Sequence, residues 1–390
     1  MSRPLTVMLV ATEASGDILG AGLARALKER LGDDGVRFVG VGGPRMAAQG
    51  VKSPFSITDL SIMGLEALVA FPKIFKMIDQ TVDVAKAERP DVAVLIDSWS
   101  FTSRVAKKLR RLHPDMPLIK FVSPQVWASR PGRARTLAGL FDHLLVIHGF
   151  EVPLFEKLGL GTTFVGSPAL AREPAGADPA RLRAEMGAGP DDQILLVLPG
   201  SRPGEIARMM PPFEAAVDIL KADRPNLRLV VVAADLVAET VRAKIAGWRH
   251  RAHLVEGEAG KLDAMTAATV ALACSGTVTT ELAVAGCPFV MAYRVGTLTW
   301  LAVRLLATTR YFCLINIAAG KMVAPEMFQT ACTPEKLARE LALRLDDPAL
   351  RQRQIAGQNG ALEIMGRGGP DTDQTAADAV LRVLGDARAP

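Results

Sequence analysis

Short apolar runs alternate with segments of helical periodicity through the first half of the chain. Between the runs, segments such as Ile18–Leu31 and Thr102–Leu112 place apolar residues every three or four positions, which is typical of helices that cover a core. Because the runs contain few polar residues, they predict strands of a parallel sheet that is covered by helices on both faces. The runs are Leu5–Ala11, Arg37–Val41, Asp91–Ile96, Leu118–Val122 and His143–Ile147.

The same alternation starts again after Ser167–Asp192, a segment rich in Ala, Gly, Pro and Asp that predicts a linker followed by a short helix. With 390 residues, the chain exceeds the length at which one hydrophobic core usually stops growing, so we expect an α/β protein of two domains. We expect two Rossmann-like, doubly wound domains, residues 1–168 and 169–365, that face a central cleft. A helical tail, residues 366–390, follows and can pack on an N-terminal domain. The strands predicted for the second domain are Ile194–Leu198, Leu227–Ala233, Ala252–Val255, Val270–Ala273 and Phe289–Ala292.

Composition excludes several classes of protein. A formal net charge of +5 over 390 residues is too small to indicate nucleic-acid binding. The four cysteines lack paired spacing and the five histidines form no His-Glu-x-x-His pattern, so we expect no disulfide, no metal site and no cofactor. Apolar runs stay shorter than the roughly 18 residues of a membrane span, and the first residues lack the pattern of a signal peptide. These features predict a cytoplasmic protein.

Polar residues follow two strands of the first predicted domain, where ligands bind in open α/β sheets. Glu13, Ser15 and Asp17 come after the first strand, and Asp97 follows the third. Ser15 or Asp17 could simply cap the next helix, but capping does not explain the carboxylate of Glu13. Asp97 could cap a helix as well, or it could accept a proton from an attacking hydroxyl group. We favour a catalytic role for Asp97 and Glu13, with Ser15 and Asp17 binding substrate.

A glycine-rich turn, Pro199–Glu205, follows the first strand of the second predicted domain. Its glycines would let backbone amides approach a phosphate, which Arg202 could bind with two hydrogen bonds. The alternative is an ordinary turn. If the turn binds a nucleotide diphosphate, Arg202 and a helix N-terminus can stabilise the departing diphosphate without a metal ion.

That helix is predicted after Val270–Ala273, where Ser275, Gly276 and Thr277 offer amides and hydroxyl groups to an anion. Glu281 lies about one turn into the helix and could accept hydrogen bonds from ribose hydroxyl groups. A helix cap followed by an acidic first turn is the alternative interpretation. The single Asp-x-Asp sequence, Asp371 to Asp373, is more typical of a helix cap than of a metal site.

One segment is unusually apolar for a surface helix. It contains Leu68, Phe71 and Phe75, with Lys73 and Lys76 among them. These side chains either belong to a core or enter the acyl region of a membrane whose anionic headgroups meet the lysines.

The motifs at these positions resemble those of the lipid-A-disaccharide synthase family, and the resemblance extends over nearly the whole chain. Two strings are quite specific in combination, Ser-Pro-x-Val-Trp-Ala and Pro-Gly-Ser-Arg. The segments that carry the resemblance are Glu13–Asp17, Val39–Met46, Met63–Gly64, Ile96–Asp97, Val122–Ala128, Leu198–Arg202, Ser275–Thr277 with Glu281, and Asn316 with Ala319–Gly320.

The resemblance implies a GT-B fold and a part in lipid A biosynthesis. It implies an inverting transfer of 2,3-diacylglucosamine from UDP to 2,3-diacylglucosamine 1-phosphate, giving the β(1→6) disaccharide 1-phosphate and UDP. Asp97 resembles the catalytic base, and Glu13 and Asp17 resemble acceptor-side residues. The resemblance further implies peripheral association with the anionic surface of the inner membrane, and a homodimer is possible through exchange of C-terminal segments. The residues that resemble UDP-sugar contacts are Arg202, Glu281 and Asn316.

The chain departs from the family pattern at Trp99, Ser100 and Ser167. Three alternatives therefore stay open beside the synthase reaction. They are a divergent paralogue acting on a related lipid or sugar, a UDP-sugar epimerase of the same fold, and an inactive nucleotide-sugar-binding protein.

Overall fold

The computed structural model describes residues 3–57, 67–127, 130–171, 176–296, 300 and 309–388. Its chain folds into two compact units. Unit 1 consists of Met1–Ser167 together with Gly369–Pro390, and unit 2 is Pro168–Gly368.

Unit 1 contains a sheet of six parallel strands in the order β2-β1-β3-β4-β5-β6. The strands are β1 Leu5–Val10, β2 Val36–Val41, β3 Val92–Ile96, β4 Leu118–Phe121, β5 His143–Val146 and β6 Gly161–Phe164. The helices of residues 1–167 are α1 Ala14–Leu31, α2 Pro44–Ala48, α3 Ala67–Glu88, α4 Trp99–Leu112, α5 Gly132–Ala138 and α6 Val152–Glu156.

Alternate side chains of each central strand enter opposite faces of this sheet, as the twofold period of a strand requires. Val7 and Leu9 of β1 pack with Leu23 of α1 in one core. Met8 and Val10 of the same strand belong to the other core, which includes residues of α3 and α4. Helices therefore cover both faces of the sheet, which is the doubly wound arrangement predicted from the purely apolar strands.

Unit 2 contains a second sheet of six parallel strands, in the order β12-β11-β10-β7-β8-β9. The strands are β7 Ile194–Leu198, β8 Arg228–Ala233, β9 His253–Glu256, β10 Val270–Cys274, β11 Phe289–Tyr293 and β12 Glu326–Phe328. The helices are α7 Pro168–Ala171, α8 Pro179–Glu185, α9 Pro203–Asp223, α10 Ala238–Ala246, α11 Glu258–Ala267, α12 Val278–Val284, α13 Leu314–Ala319, α14 Pro334–Asp346 and α15 Pro348–Met365.

The last helix, α16 Thr372–Arg388, returns to unit 1 and packs on α1. Its buried Val380 enters the same core as Leu23. Ion pairs border this contact: Arg25 lies 2.6 Å from Asp373, and Arg30 lies 2.9 Å from Asp378. Asp371 accepts a hydrogen bond from the backbone N–H of Gln374 at 2.9 Å, so the predicted helix cap is confirmed there.

The order of the strands places one topological switch point in each sheet. In unit 1, β2 and β3 lie on opposite sides of β1, so a crevice opens at the carboxyl ends of β1 and β3. In unit 2, β8 and β10 lie on opposite sides of β7, which puts the crevice at the carboxyl ends of β7 and β10. The predicted site residues Glu13, Asp97, Arg202 and Ser275 follow these four strand ends.

Candidate active site

The crevice of unit 1 brings Ser15 and Asp97 together. The Ser15 hydroxyl group donates a hydrogen bond to Oδ2 of Asp97 at 3.2 Å, although the two residues are 82 positions apart in sequence. Glu13 is exposed at the start of α1, and the charges of Glu13 and Asp97 both act on Lys120. The structure therefore brings three of the predicted residues, Glu13, Ser15 and Asp97, to the carboxyl ends of β1 and β3.

Asp97 has a backbone conformation that non-glycine residues seldom adopt. Its φ is +51° and that of Ser98 is +38°, both in the left-handed region. Oδ1 of Asp97 accepts a hydrogen bond from the N–H of Ser98 at 2.8 Å, and α4 has no side-chain cap. The Asp97 carboxylate therefore does not cap α4. A residue with strained backbone at a crevice is typical of a functional site.

Asp17, which is predicted to bind substrate, forms hydrogen bonds with a backbone segment of unit 1. Its carboxylate is buried and accepts hydrogen bonds from the backbone N–H groups of Gly43, Arg45 and Met46 at 2.8, 3.0 and 3.0 Å. These bonds hold the segment between β2 and α2. Asp17 therefore positions that segment, and its predicted part in substrate binding stays a prediction.

Lys120 was not singled out from the sequence, although it is a fully buried lysine beside Asp97. Its ammonium group donates hydrogen bonds to the backbone carbonyls of Leu95, Asp97 and Phe121 at 3.1, 2.6 and 3.1 Å. Burial lowers the pKa of Lys120 to about 7, against the opposing effect of the Asp97 and Glu13 charges. The crevice thus contains a cation as well as two carboxylates.

A second buried polar group lies at the carboxyl ends of β4 and β5. Glu151 accepts hydrogen bonds from the Ser123 hydroxyl group and from Nε1 of Trp127, the latter at 3.0 Å. Burial raises the pKa of Glu151 to about 7 and lowers that of His148 to about 4. Ser123 and Trp127 belong to the Val122–Ala128 motif, whereas His148 and Glu151 follow β5. The hydrogen bonds of Glu151 therefore connect this motif to the segment after β5.

The crevice of unit 2 contains a cavity of about 480 Å³. It is lined by the segments that follow β7, β8, β9 and β10. The predicted site residues that line it are Arg202, Ser275, Gly276, Thr277 and Glu281.

Glu205 organises the turn that carries Arg202. Its Oε2 accepts hydrogen bonds from the N–H groups of Ser201 and Arg202 at 3.0 and 3.3 Å, and its Oε1 accepts one from the Tyr293 hydroxyl group at 3.1 Å. The Arg202 side chain is 77% exposed and lies 3.6 Å from Glu205. Glu205 therefore fixes the backbone of the turn, while the guanidinium group of Arg202 remains accessible in the cavity.

Lys261 is a further cation in this cavity that sequence reasoning missed. Its ammonium group lies 2.8 Å from Oε2 of Glu281 and 3.0 Å from Glu258. Partial burial lowers the pKa of Lys261, but the hydrogen bonds and charges of Glu281 and Glu258 raise it by more. The pKa of Lys261 is therefore raised overall. Arg202 and Lys261 are the two basic side chains among the residues that line this cavity.

Asn316, which is predicted to contact the UDP-sugar, lies on α13. It is fully buried, and its amide donates to the Ala324 carbonyl at 2.7 Å and to Glu326 at 2.8 Å. Its oxygen accepts hydrogen bonds from the N–H groups of Val323 and Ala324 at 2.7 and 2.9 Å. All its hydrogen-bonding capacity is used to hold the segment before β12, and its predicted contact with the nucleotide sugar stays a prediction.

The predicted apolar segment corresponds to the first part of α3. The side chains of Leu68 and Phe71 lie outside the described residues, whereas Phe75 is 46% exposed. Met77 and Ile78, one turn further, are buried in the core. One face of this part of α3 therefore packs on the core through Ile74, Met77 and Ile78, whereas Phe75 lies on the surface.

Within the ranges that the structure describes, no helix is both long and apolar enough to span a membrane. The same residues contain no group of three or more His, Cys, Asp or Glu side chains that could bind a metal ion.

Comparisons with known proteins agree with this arrangement. The family model of lipid-A-disaccharide synthetase matches residues 7–380. The lipid-A-disaccharide synthase of Rhodospirillum centenum is 43% identical over 383 residues, which cover 98% of this chain and 95% of that protein.

Solved structures confirm the fold at low sequence identity. A UDP-GlcNAc 2-epimerase from Neisseria meningitidis, bound to UDP-GlcNAc, matches with a TM-score of 0.57 and 11% identity, covering 98% of this chain and all of that one. Acinetobacter baumannii MurG matches with a TM-score of 0.55 and 14% identity, covering 97% and 100%. The predicted GT-B fold, family and enzyme class are thus confirmed, and the chain belongs to the lipid-A-disaccharide synthase family of glycosyltransferases.

Proposed function

We propose that the protein transfers 2,3-diacylglucosamine from UDP to 2,3-diacylglucosamine 1-phosphate, forming the β(1→6) disaccharide 1-phosphate and UDP. The observation that carries this proposal is the Asp97 carboxylate, which is held in a left-handed backbone conformation beside Ser15 at the switch point of unit 1. Family membership and the cavity of unit 2 support it.

The donor would bind in the cavity of unit 2. Arg202 and Lys261 offer positive charge to the diphosphate, and the amides of the Ser275–Thr277 segment can approach it because Gly276 lacks a side chain. Glu281 already accepts a hydrogen bond from Lys261, and its carboxylate could accept further ones from ribose hydroxyl groups. A volume of about 480 Å³ is in the range of small-molecule sites.

The chemical step would be an inverting displacement at the anomeric carbon. The 6-hydroxyl oxygen of the acceptor forms a bond to that carbon while the bond to the diphosphate oxygen breaks. Asp97 takes the hydroxyl proton, and the bonding electrons leave with UDP. Glu13 would assist at the same edge by accepting a hydrogen bond from the acceptor, whereas Ser15 would keep the Asp97 carboxylate in place.

A turnover assay tests the proposal directly. Purified protein is incubated with UDP-diacylglucosamine and the acylated 1-phosphate acceptor, and the products are identified by mass spectrometry. We expect disaccharide 1-phosphate and UDP in equal amounts. Release of an isomerised sugar without acceptor would favour the epimerase alternative, a different disaccharide would favour a paralogue, and binding without turnover would favour an inactive protein.

Adding EDTA is expected to change the transfer rate by less than about twofold, because Arg202 and Lys261 can stabilise the departing diphosphate. The initial rate is measured with and without chelator. Complete loss of activity that Mg²⁺ restores would contradict the assignment of charge stabilisation to these two side chains.

We also propose that α3 binds the anionic surface of the inner membrane. Phe75 is exposed on this helix, and the exposed Lys73 and Lys76 flank it. An exposed aromatic ring among lysines is suited to the boundary between acyl chains and anionic headgroups. Such a contact would bring a peripheral enzyme to its acylated substrates.

Phe75→Ser is expected to weaken binding to anionic vesicles roughly threefold to tenfold, because the exposed ring no longer enters the apolar layer. Vesicle sedimentation measures the binding, and donor affinity should stay unchanged. Leu158→Ser is the matched control, since Leu158 is an exposed apolar residue outside α3. Equal binding of wild type and Phe75→Ser would contradict the proposed membrane contact.

A homodimer formed by exchange of C-terminal segments stays a prediction. It would reuse the surface between α16 and α1, where Arg25 pairs with Asp373 and Arg30 pairs with Asp378. Light scattering of the purified chain tests it, and the mass of a monomer at all concentrations would contradict it.

A further inference from the structure

Three non-glycine residues with positive φ lie at the ends of two neighbouring strands in unit 1. Asp97 and Ser98 follow β3 with φ of +51° and +38°, and Val122 follows β4 with φ of +68°. For a β-branched residue such as Val122 this conformation is a genuine outlier. Such strained backbone persists when surrounding contacts hold it, so the two strand ends need a stabilising partner.

The Lys120 side chain bonds to both of these strand ends. Its ammonium group has three N–H donors, which matches the three carbonyl acceptors of Leu95, Asp97 and Phe121. The Phe121 carbonyl also accepts the N–H of Asp97 at 2.9 Å, so the same oxygen joins both elements. Lys120 thus connects the last residues of β3 and β4 at the point where their backbone is strained.

The charge of this lysine is costly, because the side chain is fully buried. An apolar residue would be the ordinary choice at a buried position of a central strand. Among the described residues, Asp97 and Glu13 are the charged groups that act on its ammonium group and favour its protonated form. A fully buried lysine beside two carboxylates in a crevice indicates that Lys120 has a role in the site.

We propose that Lys120 is a positioning residue whose ammonium group clamps the left-handed ends of β3 and β4 and thereby holds the Asp97 carboxylate beside Ser15 for the acceptor hydroxyl group. The proposal rests on the proposed function in one respect, namely that Asp97 is the base. A neutral amine has two N–H donors for three carbonyls, so deprotonation releases one carbonyl and loosens the clamp. Burial lowers the pKa of Lys120 to about 7, which brings this loss into the neutral range.

Steady-state kinetics of Lys120→Gln and Lys120→Met test the clamp. Gln keeps two N–H donors without the charge, whereas Met keeps the length without any donor. We expect kcat to fall by about tenfold or more in both variants, with donor KM changed by less than about twofold, because positioning of the base acts on the chemical step. Lys107→Met, at an exposed position of α4, is the control and should match wild type.

The pH profile separates a positioning role from a merely structural one. We expect wild-type kcat to decline above about pH 7, and we expect Lys120→Gln to lose this decline because it has no group that titrates there. Lys120→Arg keeps the charge at all working pH values, so it should move the decline to higher pH. Variants that fold and retain wild-type kcat with an unchanged profile would overturn the proposal.

Stability provides a readout that does not depend on the base. The folded-state pKa of Lys120, about 7, lies below the ordinary value of 10.5, so the unfolded chain binds more protons between these values. The free energy of unfolding of wild type should therefore rise relative to Lys120→Gln as pH increases through this window. An identical pH dependence of the two proteins would overturn the pH-dependent part of the proposal, since the clamp would then stay charged through the neutral range.

The failure of this proposal can be distinguished from failure of the proposed function. If Asp97→Asn keeps its turnover, the base is wrong, while the pH dependence of unfolding still reports the state of Lys120. If Asp97→Asn is inactive and the Lys120 variants behave as wild type, the function stands and the clamp is wrong.

Discussion

Asp97→Asn is expected to lower the rate of sugar transfer by about 10²–10⁴-fold, the usual effect of losing a general base. The substitution changes charge at constant shape. Asn keeps one oxygen that accepts the hydrogen bond from the N–H of Ser98, and its NH2 group can donate to the Ser15 hydroxyl oxygen instead, so local structure should persist. It cannot take a proton from an acceptor hydroxyl group at neutral pH, so the chemical step should be lost while donor binding stays.

Single-turnover kinetics and calorimetric donor binding would measure these two quantities on the same preparation. Asp115→Asn is a matched control, since Asp115 is exposed in the turn between α4 and β4 of the same unit. Near-wild-type transfer by Asp97→Asn would place the base elsewhere, and Glu13 would then be the leading candidate.

Arg202→Ala is expected to reduce kcat by about 10²–10³-fold, because the charge that develops on the departing diphosphate loses a preorganised donor. The guanidinium group is 77% exposed within the cavity of unit 2, so its removal should cost little folding stability. Glu205 keeps its bonds to the backbone N–H groups of the turn, and the shape of the turn should therefore survive.

The measurements for Arg202→Ala are kcat, donor KM and the dissociation constant of UDP. The matched control is Arg249→Ala, which removes an exposed arginine near the amino end of β9, at the other edge of the same sheet. A folded Arg202→Ala variant with unchanged turnover and UDP affinity would remove Arg202 from the site.

The central strands of both sheets were predicted within one or two residues at each end. For example, β7 was predicted as Ile194–Leu198 and has those bounds, and β1 ends one residue before the predicted Ala11. This agreement has a physical reason, because a strand buried on both faces is apolar at nearly every position. The two strands that were not predicted, Gly161–Phe164 and Glu326–Phe328, lie at sheet edges and are not fully buried, so they lack that pattern.

The candidate site was only partly predictable, because the identity of a polar residue does not reveal its partner. Asp17 and Asn316 stand at expected positions, but the folded chain surrounds each of them with backbone groups that use its hydrogen-bonding capacity. Lys120 carried a signal that was overlooked, namely a charged residue inside an otherwise apolar strand. Lys261 carried none, since it reaches the cavity from a helix.

The sequence by itself determined the two parallel sheets, the strand ends that carry the candidate site residues, and the family, since each depends on local apolar runs and short motifs. The tertiary structure decided which side chains at those ends are accessible. It paired Ser15 with Asp97 across 82 positions, enclosed Asp17, and put the Lys120 ammonium group between two strand ends. These outcomes depend on the order of strands in the sheet and on the hydrogen bonds that burial makes obligatory, and neither is encoded in any local segment.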